Sequence, residues 1–299
     1  MASRKKFQGT GTALVTPFTR EGKIDEPALR KLVEFQIKGG VEAIVPAGTT
    51  GESPTLEDEE HQRLIEIVVE QARKRVKVIA GASSNSTAHA VRLSKQAEKA
   101  GADMLLVVGP YYNKPTQEGY VQHYRAIADA VDLPFIIYNV PTRTSGNIEP
   151  STLIKIAEEI PTAVGVKEAA GSMPQIMEIA RTKPAGFSLL SGDDIYTLPL
   201  MAVGGEGVIS VVSNEVPKLF SDMVRLCLKK NFPKALELHT KLSPLMQANF
   251  FEANPIPVKA ALAMMGMIEE IYRLPLVTIG ATNRERLRAV LHELRLVKG

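Results

Sequence analysis

Two hydrophobic periods alternate along the chain. Short apolar runs bounded by Gly, Pro, Asn or Ser recur at 12–16, 43–47, 76–80, 104–108, 134–138, 163–167, 187–190 and 207–211. β-Branched residues between turn formers favour strands. Between these runs the period lengthens to that of a helix with one apolar face. Asp25 is the expected N-cap of a helix carrying Leu29, Leu32, Val33 and Ile37, stopped by Gly39-Gly40. Thr55 is the expected cap of the next, which carries Leu64, Ile65, Val68 and Val69. Segments 86–100, 118–131, 150–160, 174–181 and 196–203 continue the series.

Eight strand–helix units at a repeat of roughly 20–35 residues match the size of one βα unit. Continuous apolar strands suit a parallel sheet covered by helices. Eight of them favour a closed (β/α)8 barrel over an open doubly wound sheet. Beyond Pro217 the strand signal ends, and helical patterns run through 219–229, 232–250, 257–268 and 284–296. The expected fold is therefore an α/β TIM barrel with a C-terminal helical extension. Its barrel spans 1–230 and its helical domain 231–299, packed on the barrel or on another subunit.

Composition narrows the function classes. A chain of 299 residues with 44% hydrophobic content can bury a large core. Its 36 basic and 33 acidic residues leave a net charge of only +3. The basic clusters, Arg4-Lys5-Lys6 and Arg73-Lys74-Arg75, are short, and the second suits a helix C-terminus. With no Trp and no aromatic-interleaved basic stripe, no nucleic-acid partner is expected. The single Cys227 permits no internal disulfide and fits a reducing cytosol. No signal-like apolar run follows the N-terminus, and no window reaches the roughly 18 apolar residues of a membrane span. A cytoplasmic chain without membrane contact is the expectation.

A barrel gathers its chemistry at the C-terminal ends of its strands. The unusual residues of this chain fall there: Gly48-Thr-Thr-Gly-Glu52, Gly109-Pro-Tyr-Tyr-Asn113, Tyr138 with Asn139-Val-Pro-Thr-Arg143, Lys167, and Ser191-Gly-Asp-Asp194. Strand alternation puts Ala163, Gly165 and Lys167 on one face and Val164, Val166 and Glu168 on the other. Lysine in that position suggests an imine with a carbonyl substrate. An unperturbed amine is neutral in roughly one molecule in 2,500 at pH 7, so burial among Val164, Val166 and Ala169 would have to lower its pKa. Tyr138 is the candidate proton shuttle, relayed through Thr49 or Thr50 to a second phenol. The backbone of the Thr-Thr turn suits a carboxylate, and so does the guanidinium of Arg143. Taken one by one, each residue has a plainer reading: a lysine snorkelling to water, a tyrosine capping the core, an ordinary turn, a solvated arginine. The five histidines lie scattered without ligand spacing, so no metal is expected. Gly204-Gly-Glu-Gly207 precedes a strand instead of opening a helix, and no Gly-x-Ser-x-Gly elbow occurs.

Gly48-Thr-Thr-Gly-Glu-Ser53, Gly109-Pro-Tyr-Tyr-Asn-Lys-Pro115, Tyr138-Asn-Val-Pro-Thr-Arg143, Gly165-Val-Lys-Glu-Ala169 and Ser191-Gly-Asp-Asp194 together resemble the dihydrodipicolinate synthase (4-hydroxy-tetrahydrodipicolinate synthase) family. Asn254-Pro-Ile-Pro-Val-Lys259 and Arg273-Leu-Pro275 extend the likeness into the C-terminal region. The resemblance implies a class I aldolase-like lyase that condenses pyruvate with L-aspartate 4-semialdehyde on the diaminopimelate route to lysine, with no cofactor. It implies Lys167 as the Schiff-base lysine, Tyr138 as the proton-transfer phenol, and Thr49 and Thr50 as the relay and carboxylate turn. Tyr112 would reach a neighbouring subunit's site in a homotetramer built as a dimer of dimers. Arg143 would receive the semialdehyde, and Gly192 and Ile209 would line the pocket. N-acetylneuraminate lyase and other sugar-acid aldolases of the wider superfamily are the alternative; the Thr-Thr turn, the Tyr-Tyr pair and Arg143 favour the synthase. The resemblance also implies a lysine-binding cleft from Ser53, His61, Asn85, His89 and Tyr111. There Asp58 and His89 stand where lysine-inhibited members have a histidine and a glutamate. Histidine at 89 cannot pair with an ammonium, so weak or absent lysine inhibition is expected.

Overall fold

In the computed structural model, which describes residues 6–298, eight parallel strands close into a barrel in sequence order. They are β1 (Gly9–Ala13), β2 (Ala43–Val45), β3 (Lys77–Gly81), β4 (Met104–Val108), β5 (Phe135–Asn139), β6 (Ala163–Glu168), β7 (Ser188–Ser191) and β8 (Gly207–Ser210). The outer layer comprises α1 (Glu26–Lys38), α2 (Asp58–Ala72), α3 (Thr87–Lys99), α4 (Gln117–Ala128), the short α5 (Pro141–Thr144), α6 (Pro150–Glu159), α7 (Met173–Thr182), α8 (Thr197–Ala202) and α9 (Pro217–Leu228). The C-terminal segment adds α10 (Phe232–Ala248), α11 (Ile256–Met264) and α12 (Ala281–Glu293). Arg4 and Lys5 of the first basic cluster lie outside the described residues.

Three local expectations shift. The first strand begins at Gly9, not Thr12, because Gly9, Thr10 and Gly11 pair with Gly207, Val208 and Ile209. A Cβ on Gly207 would lie 2.1 Å from the Gly9 carbonyl oxygen, so glycine here permits close strand contact instead of marking a turn. The second helix starts at Asp58, capped by Glu57 and Glu60 in a reciprocal box, while Ser53–Thr55 forms a 3-10 turn. Finally, the alternation on β6 is broken near its start. Phe135 pairs with Ala163, but Ile136 pairs with Gly165, a register shift that leaves Val164 as an extra residue. Val164 therefore packs inside the barrel with Ile136 and Leu190, while Ala163 and Val166 face the helices. Gly165 and Lys167 keep the inward parity and Glu168 the outward one.

The barrel interior is apolar, built by Phe7, Val45, Ile79, Met104, Leu106 and Ile136 among others. Its N-terminal face is closed by a repeated polar device. Glu42, Asp103 and Glu206 each stand one residue before a strand and accept the N–H of the preceding strand, from Thr10, Val78 and Leu189 at 2.7, 2.9 and 2.8 Å. Each also pairs with a cation, Arg225, Lys74 or Lys183, at 2.9–3.0 Å. These carboxylates pin neighbouring strands in register and take no part in the opposite, C-terminal face.

The C-terminal helices continue the same apolar cluster: Leu242, Leu245, Val258, Leu262, Leu287 and Leu291 pack with the outer layer of the barrel. One charged contact is buried completely. Lys259 of α11 donates to the Glu52 carboxylate, both side chains at 0% exposure. The Lys259 ammonium also lies 4.5 Å from the Phe18 ring centroid and 5.1 Å from that of Tyr272. Arg273 adds its backbone N–H to Glu52 at 3.3 Å and a two-armed pair to Glu60 at 2.6 and 2.7 Å. Removing one partner of a buried pair strands the other charge. Lys259→Met should therefore cost about 3–5 kcal/mol in urea unfolding, and adding Glu52→Gln should recover most of it. A double variant no more stable than the single one would show that the pair is not what the loss reports.

Candidate active site

The C-terminal face carries a second group of buried polar side chains. Lys167 and Tyr138 are cross-strand partners on β6 and β5, 5% and 7% exposed. The Lys167 amine sits over the Tyr138 ring, 4.0 Å from its centroid. Burial pulls the amine down to about 7; Asp194 and Asp193 oppose that, while the Arg143 guanidinium reinforces it. A far larger share of the amine is then neutral at pH 7 than the trace fraction of an exposed lysine. Its neighbours include the tyrosine ring and its cross-strand partner Leu190, while the bulged strand turns Val166 outward. Gly192 makes the room: a Cβ there would lie 3.1 Å from Lys167 Cε and 2.7 Å from Ala169 Cβ.

Glu168, next along the chain, plays no part with the amine. Its carboxylate accepts from Asn139 Nδ2 at 3.0 Å, Gln175 Nε2 at 3.0 Å and the Ala170 N–H at 2.6 Å. Because Asn139 and Glu168 are also cross-strand partners, this outward network locks the pair of strands one residue beyond Tyr138 and Lys167.

Burial also pushes the Tyr138 phenol up to about 12, against the pull of Arg143 and a hydrogen bond with Thr49. At neutral pH this phenol keeps its proton. Thr49 belongs to the turn after β2, which Gly51 N–H and Glu52 N–H close by donating to the carbonyls of Gly48 and Thr49 at 3.1 Å each. Ala47 and Glu52, the residues flanking the turn, have φ of 56° and 55°, a left-handed conformation that non-glycine residues adopt at a cost. Thr50 is buried, and its hydroxyl accepts from Asn254 Nδ2 at 2.9 Å. Arg143 on α5 donates to the Asn254 carbonyl at 3.3 Å.

Lys167, Tyr138, Thr49, Thr50, Arg143 and Gly192 all border one cavity of about 90 Å3. Ile209 lies in the barrel interior at 1% exposure, and it is Val211, two residues on, that borders the cavity. Tyr112 stands apart from these residues: it is 91% exposed with a φ of 69°. An adjoining cavity of about 340 Å3 shares Thr49 and Arg143 with the first and is bordered by Ser53, His61, His89 and Tyr111. Asn85 lies outside its lining; its carbonyl accepts from Asn113 Nδ2 at 2.9 Å. Asp58 also borders this cavity and accepts from His89 at 2.8 Å, with Arg92 3.9 Å away, so an acid is present but comes from α2.

Sequence reasoning passed over Asn254, Glu52, Lys259 and Asp194 as working residues. Asp194 is buried, accepts the Val211 and Val212 N–H groups at 3.0 and 2.8 Å, and is raised to about 6 by its burial. The available signals were a second acid after Ser191-Gly and a polar residue at the break before Pro255. Among the described residues no three His, Cys, Asp or Glu side chains gather as a metal site, and no helix is long and apolar enough to cross a membrane.

Comparison with known proteins shows the family. Residues 6–294 match the Dihydrodipicolinate synthetase family. The 4-hydroxy-tetrahydrodipicolinate synthase of Syntrophus aciditrophicus is 54% identical over 291 residues, 97% of this chain and 99% of its own. The crystal structure of dihydrodipicolinate synthase from Aquifex aeolicus superposes with a TM-score of 0.96 at 46% identity, covering 98% of this chain and 100% of the other. The Acinetobacter baumannii dihydrodipicolinate synthase, solved in complex with pyruvate, gives a TM-score of 0.95 at 43% identity, covering 97% and 99%. With a match along nearly its whole length, the chain belongs to the dihydrodipicolinate synthetase family.

Proposed function

We propose that this chain is the lyase its relatives are named for, condensing pyruvate with L-aspartate 4-semialdehyde through an imine on Lys167. The observation that carries the reading is the Lys167–Tyr138 pair: an amine with its pKa lowered to about 7, against a phenol that keeps its proton. The neutral amine adds to the C2 carbonyl of pyruvate, and the carbinolamine loses water to give the imine. Tyr138 supplies the proton that the departing oxygen needs, with Thr49 as its first relay partner. Loss of a C3 proton gives an enamine, whose C3 attacks the aldehyde of the second substrate. That substrate's own amine then displaces the lysine at C2 and closes the ring. The Thr50 hydroxyl and the turn's backbone suit the pyruvate carboxylate, and Arg143, at the junction of the two cavities, suits the carboxylate of the semialdehyde. The lysine itself is the covalent catalyst, so this chemistry asks for no separate cofactor. The sugar-acid lyase alternative is disfavoured because relatives covering the whole chain carry the synthase name.

Tyr112 completes the relay from a second copy of the chain. An aromatic side chain held at 91% exposure by a left-handed backbone has no partner in its own subunit, which suits contact across an interface. We expect a homotetramer, a dimer of dimers, working in the cytoplasm as a biosynthetic enzyme.

Borohydride added with pyruvate should leave a reduced adduct on Lys167 in peptide mapping, and Lys167→Ala should trap nothing. The rate of imine formation should rise nearly tenfold per pH unit below about 6.5 and level off above about 8, because only the deprotonated amine attacks. An adduct elsewhere, or a rate that falls as pH rises through 7, would overturn the mechanism. Tyr112→Phe should slow turnover about tenfold or more with an unchanged melting temperature; unchanged kinetics would remove it from the relay. Because His89 and Arg92 already engage Asp58 in the larger cavity, we expect free lysine to inhibit weakly. Strong inhibition at sub-millimolar lysine in a steady-state assay would contradict that.

A further inference from the structure

Two groups that meet the substrates in the reading above are held by one residue from the far end of the chain. Asn254 is 6% exposed, borders the cavity, and sits between α10 and α11, 204 positions from Thr50. Its side-chain amide donates to the Thr50 hydroxyl at 2.9 Å. Its backbone carbonyl accepts from Arg143 Nη2 at 3.3 Å. A hydroxyl that accepts from an amide has its own proton free to donate elsewhere. With Asn254 as donor, the Thr50 hydroxyl keeps its own proton available for a ligand.

The segment that carries Asn254 is itself fixed to the same turn. Lys259, five residues on, makes the buried pair with Glu52, two residues after Thr50. Arg273 donates its N–H to the same carboxylate and its guanidinium to the Thr55 carbonyl at 2.7 Å. Thus the C-terminal segment grips the Thr-Thr turn on both sides of Gly51. Rigid support of this kind keeps a polar group within hydrogen-bonding geometry of its ligand.

We propose that Asn254 is a positioning residue for the condensation: its side chain orients the Thr50 hydroxyl toward the pyruvate carboxylate, while its carbonyl sets Arg143 for the second substrate. The inference rests on the proposed reaction, and it makes a separable claim, because the two holds use different atoms. Replacing the side chain removes only the first.

The test is Asn254→Ala, read by the pyruvate concentration that half-saturates borohydride trapping and by the KM for each substrate. Pyruvate half-saturation and its KM should rise about tenfold, the scale of one buried hydrogen bond left unmade. The semialdehyde KM should stay within about twofold, since the backbone carbonyl persists. Thr50→Val should raise the pyruvate KM likewise, and Asn254→Ala should add nothing further in that background. Where Ala unfolds the protein, Asn254→Asp keeps the volume, turns the Thr50 proton onto itself, and should give the same pyruvate-selective loss. Equal rises in both KM values, or a loss that multiplies with that of Thr50→Val, would mark Asn254 as structural only and overturn the proposal. Wild-type protein that traps no pyruvate on Lys167 would overturn the underlying reaction itself, an outcome told apart by its appearing without any substitution.

Discussion

Keeping one lysine amine dry is the constraint that shapes the mouth of this barrel. A charged ammonium loses hydration on burial, so an environment without a full counter-charge favours the neutral form. Here the nearest surface is the face of Tyr138 at 4.0 Å, and the arginine nearby adds positive charge. Asp193 and Asp194 lie close enough to push the other way, but the Asp194 carboxylate is held by two backbone N–H groups from the end of β8. The balance leaves the amine near neutrality. Two neighbouring features serve it: Gly192 supplies space, and Glu168 turns its charge to the far side of the sheet.

The barrel separates its two faces by the work their polar residues do. At the N-terminal face Glu42, Asp103 and Glu206 bind a neighbouring strand and a cation, so their charges are matched at once. At the C-terminal face the polar groups are left incompletely matched, and their titration shifts follow. Lys167 falls, Tyr138 and Asp194 rise, and burial is the first cause of each. The lysine and Asp194 shifts bring both groups toward neutral pH, while the phenol is held protonated; perturbed groups of this kind cluster at functional sites.

Much of this was legible in the sequence because it depends on local pattern. The apolar run 104–108 coincides with β4, and Asp25 caps α1 through the Ala28 N–H as its position suggested. Residues at strand ends could be assigned to one face from topology alone, which brought Lys167, Tyr138, Thr49, Thr50 and Arg143 together. What escaped depends on contacts between distant segments. The β6 bulge arises from pairing with β5, so strict alternation misassigned Ala163 and Val164. The start of β1 was hidden because glycines needed for close contact with β8 look like turn residues in isolation. Asp58 could be assigned to the cleft beside His89 from the resemblance, but not its bond to His89, 31 positions away on another helix.

The largest omission was the role of the C-terminal segment, which reads in sequence as helices packed on the barrel or on another subunit. Two facts weigh against a passive cover. A fully buried ion pair such as Glu52–Lys259 is a poor source of net stability, since apolar residues of similar volume often do as well. Its advantage over apolar packing is directional: a carboxylate fixed by an ammonium and an N–H holds the left-handed Glu52 and the turn before it in one orientation. That orientation presents Thr50 to Asn254 and Thr49 to Tyr138 at the same time. The barrel strands alone place the lysine; the Thr-Thr turn beside it is aligned from more than 200 residues away. A unit cut back to the barrel alone would therefore keep the buried lysine and lose the contacts that hold the turn beside it.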